Sequence, residues 1–179
     1  MDGDERLRLF CALLLPPEAI DGLVAWQAAE LPVDKLRVVP RENLHVTLAF
    51  LGNTPAARLG EVVDALSGAW ADTEPPVLAP VRYRETKSVA MIELSDEGGR
   101  AGALATRLQS ALEALGVYRR EARKWLPHVT VARFRERPRL SPALPARGSI
   151  VPSDAAVMIS RLRPGGAQYE VFESVSLGG

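Results

Sequence analysis

The chain contains two histidines, and both stand in the same phrase. Leu44-His45-Val46-Thr47-Leu48 and Pro127-His128-Val129-Thr130-Val131 each place a threonine two residues after the histidine, inside an apolar run. With six threonines in 179 residues, composition alone gives that double coincidence a chance of roughly one in a thousand. In an extended strand, residues i and i+2 point to one face, so each phrase presents an imidazole beside a hydroxyl while Val46 and Val129 turn the other way. A lone histidine on a half-buried strand is ordinarily a satisfied core residue. The repeated phrase points instead to a site.

Two imidazoles and two hydroxyls suit phosphoryl transfer. A proton must leave the attacking oxygen while another reaches the departing oxygen on the opposite side, and histidine, with a reference pKa of about 6.5, does either near neutral pH. Hydroxyls of Thr47 and Thr130 donate hydrogen bonds to the non-bridging phosphate oxygens. The residues leave open which histidine is the acid and which the base. This chemistry demands no metal and no cofactor. One cysteine and two distant histidines give no zinc-type ligand spacing, and no glycine-rich lysine loop is present. Gly98-Gly99 and Gly165-Gly166 read as turns, and no local signature marks a serine nucleophile.

The elements that must carry the two phrases follow from apolar spacing. Arg6 to Leu15 reads as a buried strand that ends at Pro16-Pro17-Glu18, where a helix opens with Ile20, Leu23, Val24 and Trp26 at helical spacing. Leu36 to Val39 and Leu44 to Leu51 read as short strands around the turn-rich Pro40-Arg41-Glu42-Asn43, with Gly52-Asn53 closing the second. Thr54 is predicted to cap a helix with Pro55 at its first position and Leu59, Val62, Val63, Leu66 and Trp70 as its apolar stripe. Strands are predicted at Val77 to Tyr83 and Ser88 to Leu94. A helix introduced by Asp96 follows, stopped by Gly116. Trp125 to Phe134, Ala155 to Leu162 and Gln168 to Leu177 complete the strands, with Pro138 to Pro152 as a proline-rich connection. This order of strands and helices predicts an α+β fold. The echo at His45 and His128 fits two related lobes that each lend a strand to one cleft.

Composition bounds the rest. The length supports one well-packed unit over residues 1–179 without disulfides or metals. Lysine plus arginine equals aspartate plus glutamate at 22 each, so no global positive field draws the chain onto long nucleic acid, and an RNA substrate must be met locally. Cys11, alone in an apolar run, is expected to be a buried thiol. That run is too short to span a bilayer and lacks a signal-type cleavage site, so a cytoplasmic monomer without membrane attachment is the expectation.

The paired phrases resemble those of the 2H phosphoesterase superfamily, named for two His-x-Thr/Ser motifs, and particularly its RNA 2′,3′-cyclic phosphodiesterase branch, also called 2′-5′ RNA ligases. The likeness runs nearly end to end. It takes in Arg8-Leu9-Phe10 through Leu15-Pro16-Pro17, Pro40 to Leu48 with Phe50-Leu51-Gly52, Pro127 to Arg133, and Pro164-Gly165-Gly166 before Tyr169. The resemblance implies a bilobal fold, with two lobes of antiparallel sheet flanked by helices around a central cleft. It also implies hydrolysis of 2′,3′-cyclic phosphate on RNA ends or nucleotides to a 2′-phosphate. By the same resemblance His45 is the proton donor to the departing 3′-oxygen and His128 the acceptor that activates water. Ligation to a 2′-5′ bond, action on another small cyclic phosphate or 2′-5′ oligonucleotide, and a non-catalytic RNA-end-binding module are the alternatives.

Three further residues or groups stay open at this level. Arg133, five residues after His128, stands where the family often carries a basic residue, while Phe50 holds the matching place after His45. An odd offset in a regular strand aims Arg133 away from the histidine face, so it reaches phosphate only if the strand ends, twists or bulges. Arg119, Arg120, Arg123 and Lys124 before Trp125 read as a solvated loop, with an RNA-backbone contact as the alternative. Tyr169 is expected to pack under the terminal hairpin rather than join the site.

Overall fold

The chain, seen as a computed structural model, is described over residues 5–146 and 148–177. Its elements run β1 (Arg6–Leu14), α1 (Pro17–Glu30), β2 (Arg37–Val38), a 3-10 turn (Arg41–Asn43), β3 (His45–Pro55), α2 (Leu59–Trp70), β4 (Val77–Glu85) and β5 (Val89–Glu97). Then come α3 (Arg100–Ala114), β6 (His128–Arg133), β7 (Asp154–Arg163) and β8 (Gly166–Ser176). The strands form one sheet in the order β4-β5-β6-β3-β1-β7-β8, with β2 beside β6. Every pairing is antiparallel. The predicted α+β class is what the structure has.

Alternation along the strands sends two sets of side chains to two different faces. One set, including Cys11, Leu13, Val46, Leu48, Ile92, Val129 and Val157, packs with Leu23 and Trp26 of α1, Val62 and Leu66 of α2, and Leu104, Leu108 and Leu112 of α3. Each fully buried leucine in this layer contributes about 1.5–3 kcal/mol of apolar burial. The opposite face carries a small cluster, Phe10, Ala12, Ala156 and Met158, with Leu14 and Tyr169 against it. Cys11 is fully buried, and burial pushes its thiol up to about 12, so it is inert at neutral pH.

β6 is the hinge of the arrangement. On one side it pairs with β5; on the other, β2 takes its C-terminal end through Arg37↔Arg133 and Val38↔Ala132, and β3 its N-terminal end through Val46↔Val129. The halves β4-β5-β6 and β3-β1-β7-β8 therefore join at one residue pair.

Local predictions need two corrections. Thr54 does not cap a helix. It is 2% exposed and pairs with Leu7, because β1 continues to supply a ladder past Gly52-Asn53. Gly52, at φ 69°, sits at a bulge inside β3, and α2 starts only at Leu59. Asp96 lies within β5, yet its carboxylate accepts from the N–H groups of Ala101 and Gly102 at 3.0 and 2.8 Å, capping α3 from the preceding strand. Gly116, at φ 73°, ends that helix as expected. Among the described residues no helix is long and apolar enough to cross a membrane.

Candidate active site

The Val46↔Val129 pairing fixes the site. Both valines are fully buried toward the helices. Continuing that register one residue each way sets His45 opposite Thr130 and Thr47 opposite His128 on the other face. Each imidazole thus shares a face with the threonines of both motifs. A cleft of about 740 Å³ opens on this face; His45, Thr47, Thr130 and Arg133 all line it. His128 is half-buried and is not among the residues that line the cleft.

Both rings are held in one way. His45 Nδ1 lies 2.7 Å from the Asn43 carbonyl oxygen and His128 Nδ1 lies 3.0 Å from that of Leu126. A carbonyl only accepts, so Nδ1 carries the proton in each neutral ring and Nε2 is left for chemistry. In His45 that Nε2 accepts the Thr47 hydroxyl at 2.9 Å. Burial, with smaller contributions from the charges of His128 and Arg133, lowers the His45 pKa to about 4 against the pull of the Asn43 carbonyl. His45 is therefore neutral in the free protein near pH 7. Its ring packs against Phe10 (centroids 5.0 Å apart) and meets Tyr169 edge-on at 5.4 Å.

The parity of Arg133 is resolved by a bulge. Against β5, Ala90 pairs with Ala132 and Met91 with Thr130, which leaves Val131 as an extra residue in β6. The extra residue restores the histidine face to Arg133, which lines the cleft. β3 does the same at the equivalent place. Cys11 pairs with Ala49 and Ala12 with Thr47, leaving Leu48 over, and Phe50 comes onto the cleft wall. The Arg8 guanidinium lies over the Phe50 ring, 4.7 Å from its centroid. Arg8, Arg37, Arg133 and Arg163 line the cleft, and among the described residues none of the four pairs with a carboxylate. The cleft is thus locally cationic in a chain of zero net charge.

His128 has a different neighbour. Glu93 is its partner in β5, and the Glu93 carboxylate is held by Arg82 Nε at 2.8 Å and Arg84 Nε at 2.7 Å. The Arg82 hydrogen bond, opposed by burial, keeps Glu93 below the usual carboxylate range. An ionised carboxylate therefore faces the second histidine and not the first.

Other expectations change. Tyr169 does pack against Phe10, but its ring also borders His45 and the cleft, so it belongs to the site. Of the basic cluster, Arg120 turns back onto α3, donating to Glu113 and Ser110, Arg123 lies 3.6 Å from Glu121, and none of its members lines the cleft. Trp125 is not part of β6; its Nε1 donates to the Thr47 carbonyl at 3.0 Å, bracing the first motif from the loop before the second. Sequence reasoning missed Arg8, Phe10 and Asn43 as site residues. Arg8 and Phe10 alternate on β1 in a way that places them on the cleft face. Asn43 stands two residues before His45 with no local sign that its carbonyl holds the ring. Among the described residues no group of three or more His, Cys, Asp or Glu is placed to hold a metal ion.

Fold and site together describe a two-histidine phosphoesterase arrangement. The chain belongs to the 2′-5′ RNA ligase superfamily, whose family model matches residues 16–174. A Thermus thermophilus relative named RNA 2′,3′-cyclic phosphodiesterase is 31% identical over 193 residues, spanning 97% of this chain and 91% of the relative. A crystal structure of a Thermus thermophilus protein superposes with a TM-score of 0.83 at 29% identity, over 97% of this chain and 99% of that one. Escherichia coli LigT complexed with 3′-AMP shares the fold, with a TM-score of 0.84 at 23% identity over 98% and 100%.

Proposed function

We propose that the chain is an RNA 2′,3′-cyclic phosphodiesterase that works as one bilobal unit and as a monomer. The observation that carries this reading is the antiparallel register at Val46↔Val129, which lays two His-Thr pairs side by side on the face that opens into an arginine-lined cleft. Substrate class comes from the relative that bears this name over nearly the whole chain.

In the reaction the cyclic phosphate lies against Thr47 and Thr130, whose hydroxyls donate to its non-bridging oxygens. His128, through Nε2, takes a proton from water as that water attacks phosphorus. The bond from phosphorus to the 3′-oxygen breaks, His45 delivers a proton to that oxygen, and a 2′-phosphate remains. His45 must first gain its proton. In the free protein its Nε2 accepts the Thr47 hydroxyl; when the phosphate takes that hydroxyl, Nε2 is released beside an anion, which favours the imidazolium. Arg133 adds positive charge to the same pocket. A 5′-hydroxyl in place of water gives a 2′-5′ linkage by the same steps.

The test is incubation of the purified protein, with EDTA present, with an oligonucleotide ending in a 2′,3′-cyclic phosphate. A 2′-phosphate product is expected to accumulate. Tight binding with unaltered substrate would replace this reading with a non-catalytic RNA-end-binding module. Faster turnover of cyclic mononucleotides than of oligonucleotides would move the substrate to a small molecule.

A further inference from the structure

Two glutamines on the helix side of the sheet repeat the symmetry of the histidines. Gln27 of α1 and Gln109 of α3 are 3% and 5% exposed, among the few polar side chains in the core. Gln27 Nε2 donates to the Val131 carbonyl at 2.9 Å and to the Val39 carbonyl at 3.0 Å. Gln109 Nε2 donates to the Leu48 carbonyl at 2.9 Å. Val131 and Leu48 are the extra residues of the two bulges, each directly after the motif threonine.

A bulge leaves its extra residue outside the regular ladder, and a buried carbonyl without a donor costs about 1–3 kcal/mol. Gln109 of α3 supplies a donor to the Leu48 carbonyl, and Gln27 of α1 gives the Val131 carbonyl a donor from the helix side. Val131 also accepts from the Val39 N–H at 3.0 Å, so Gln27 fastens the end of β2 and the bulge of β6 together. If a bulge were ironed out, every later residue of the strand would change face. In β6 that would turn Arg133 toward the helices; in β3 it would remove Phe50 from the cleft.

We propose that Gln27 and Gln109 are a matched pair of positioning residues. By holding the two bulges they determine that Arg133 and Phe50, rather than their neighbours, face the phosphate cleft. Gln27 acts through Arg133, and Gln109 through Phe50. The inference rests on the cleft as an anion site, which the proposed function requires, but not on turnover.

The test is a double-mutant cycle read by inorganic phosphate binding to the full chain, with thermal midpoints recorded alongside. Gln27→Met keeps the volume and removes both donors; together with Arg133→Ala it tests whether the two residues act as one. Each single variant is expected to weaken phosphate binding about tenfold, the scale of one charge-assisted hydrogen bond. The double variant should bind no more weakly than Arg133→Ala alone. Gln109→Met should leave the Arg133→Ala effect at full size. Losses that multiply in the Gln27 and Arg133 pair, or a Gln27→Met protein of lower midpoint but unchanged phosphate affinity, would overturn the assignment by reducing Gln27 to a core residue. Should Gln27→Met fail to fold, Gln27→Glu serves: its carboxyl donates only when protonated, so its affinity relative to wild type at the same pH should rise as pH falls. A ratio independent of pH would count against the proposal. If wild type binds phosphate but turns over no cyclic ester, the proposed function fails while this inference is still tested.

Discussion

His45 and His128 share a backbone setting, each with its Nδ1 proton on the carbonyl two residues earlier, each followed by a threonine on its own face and a bulge after that. Their surroundings differ. The first ring is packed between Phe10 and Tyr169 and followed on the cleft wall by Phe50; the second faces the Glu93 carboxylate and is followed by Arg133. Repetition of the backbone gives the two rings nearly equivalent settings. Asymmetry of the neighbours gives them different electrostatic settings: burial keeps the first ring neutral, and an ionised carboxylate faces the second.

The largest effects should fall on what the halves share. His45→Ala and His128→Ala are each expected to lower kcat by several orders of magnitude on a 2′,3′-cyclic phosphate, of the order of 10³-fold or more. Single-turnover rates check this; near-normal turnover by either variant would remove that ring from the mechanism. Thr47→Ala and Thr130→Ala should each lose about 10²-fold, one transition-state hydrogen bond apiece. A much smaller loss in one would show that a single motif holds the phosphate.

Below these come the places where the halves differ. Arg133→Ala should raise KM about tenfold for any cyclic phosphate, whereas Phe50→Ala should leave cyclic mononucleotides nearly unaffected, because only the arginine brings charge to the anion. Equal losses from the two variants would erase the asymmetry. Finally, the His45 pKa of about 4 lies below its unfolded value, so the unfolded chain binds the proton first as pH falls. Stability from the neutral ring is complete above the unfolded value and is lost as pH drops from about 6.5 toward 4, by about 3 kcal/mol. Denaturant titrations of wild type and His45→Gln should therefore converge on acidification by that amount. Parallel curves would show that burial leaves the ring unaffected.

Much of this was legible along the chain. The His-Val-Thr phrases, the apolar alternation of the strands and the stripes of α2 and α3 are local patterns, set by which side chains can be buried at spacings of two or of three to four residues. They were enough for the α+β class, for the two histidines and two threonines sharing a face, and for the buried Cys11. Thr54 misled because a threonine before a proline has the local form of a helix cap, while the strand that claims it, β1, lies more than forty residues away.

What the tertiary structure alone decided all depends on pairing between distant strands. Whether Arg133 faces phosphate turns on one extra residue counted against β5, and a bulge exists only relative to a partner. Tyr169 reaches His45 because β8 folds back beside β7, with β1 and β7 between it and β3. The neutral state of His45 follows from burial that no spacing of residues encodes. Local sequence chose the reactive groups; the register between strands chose their faces, their neighbours and their charge.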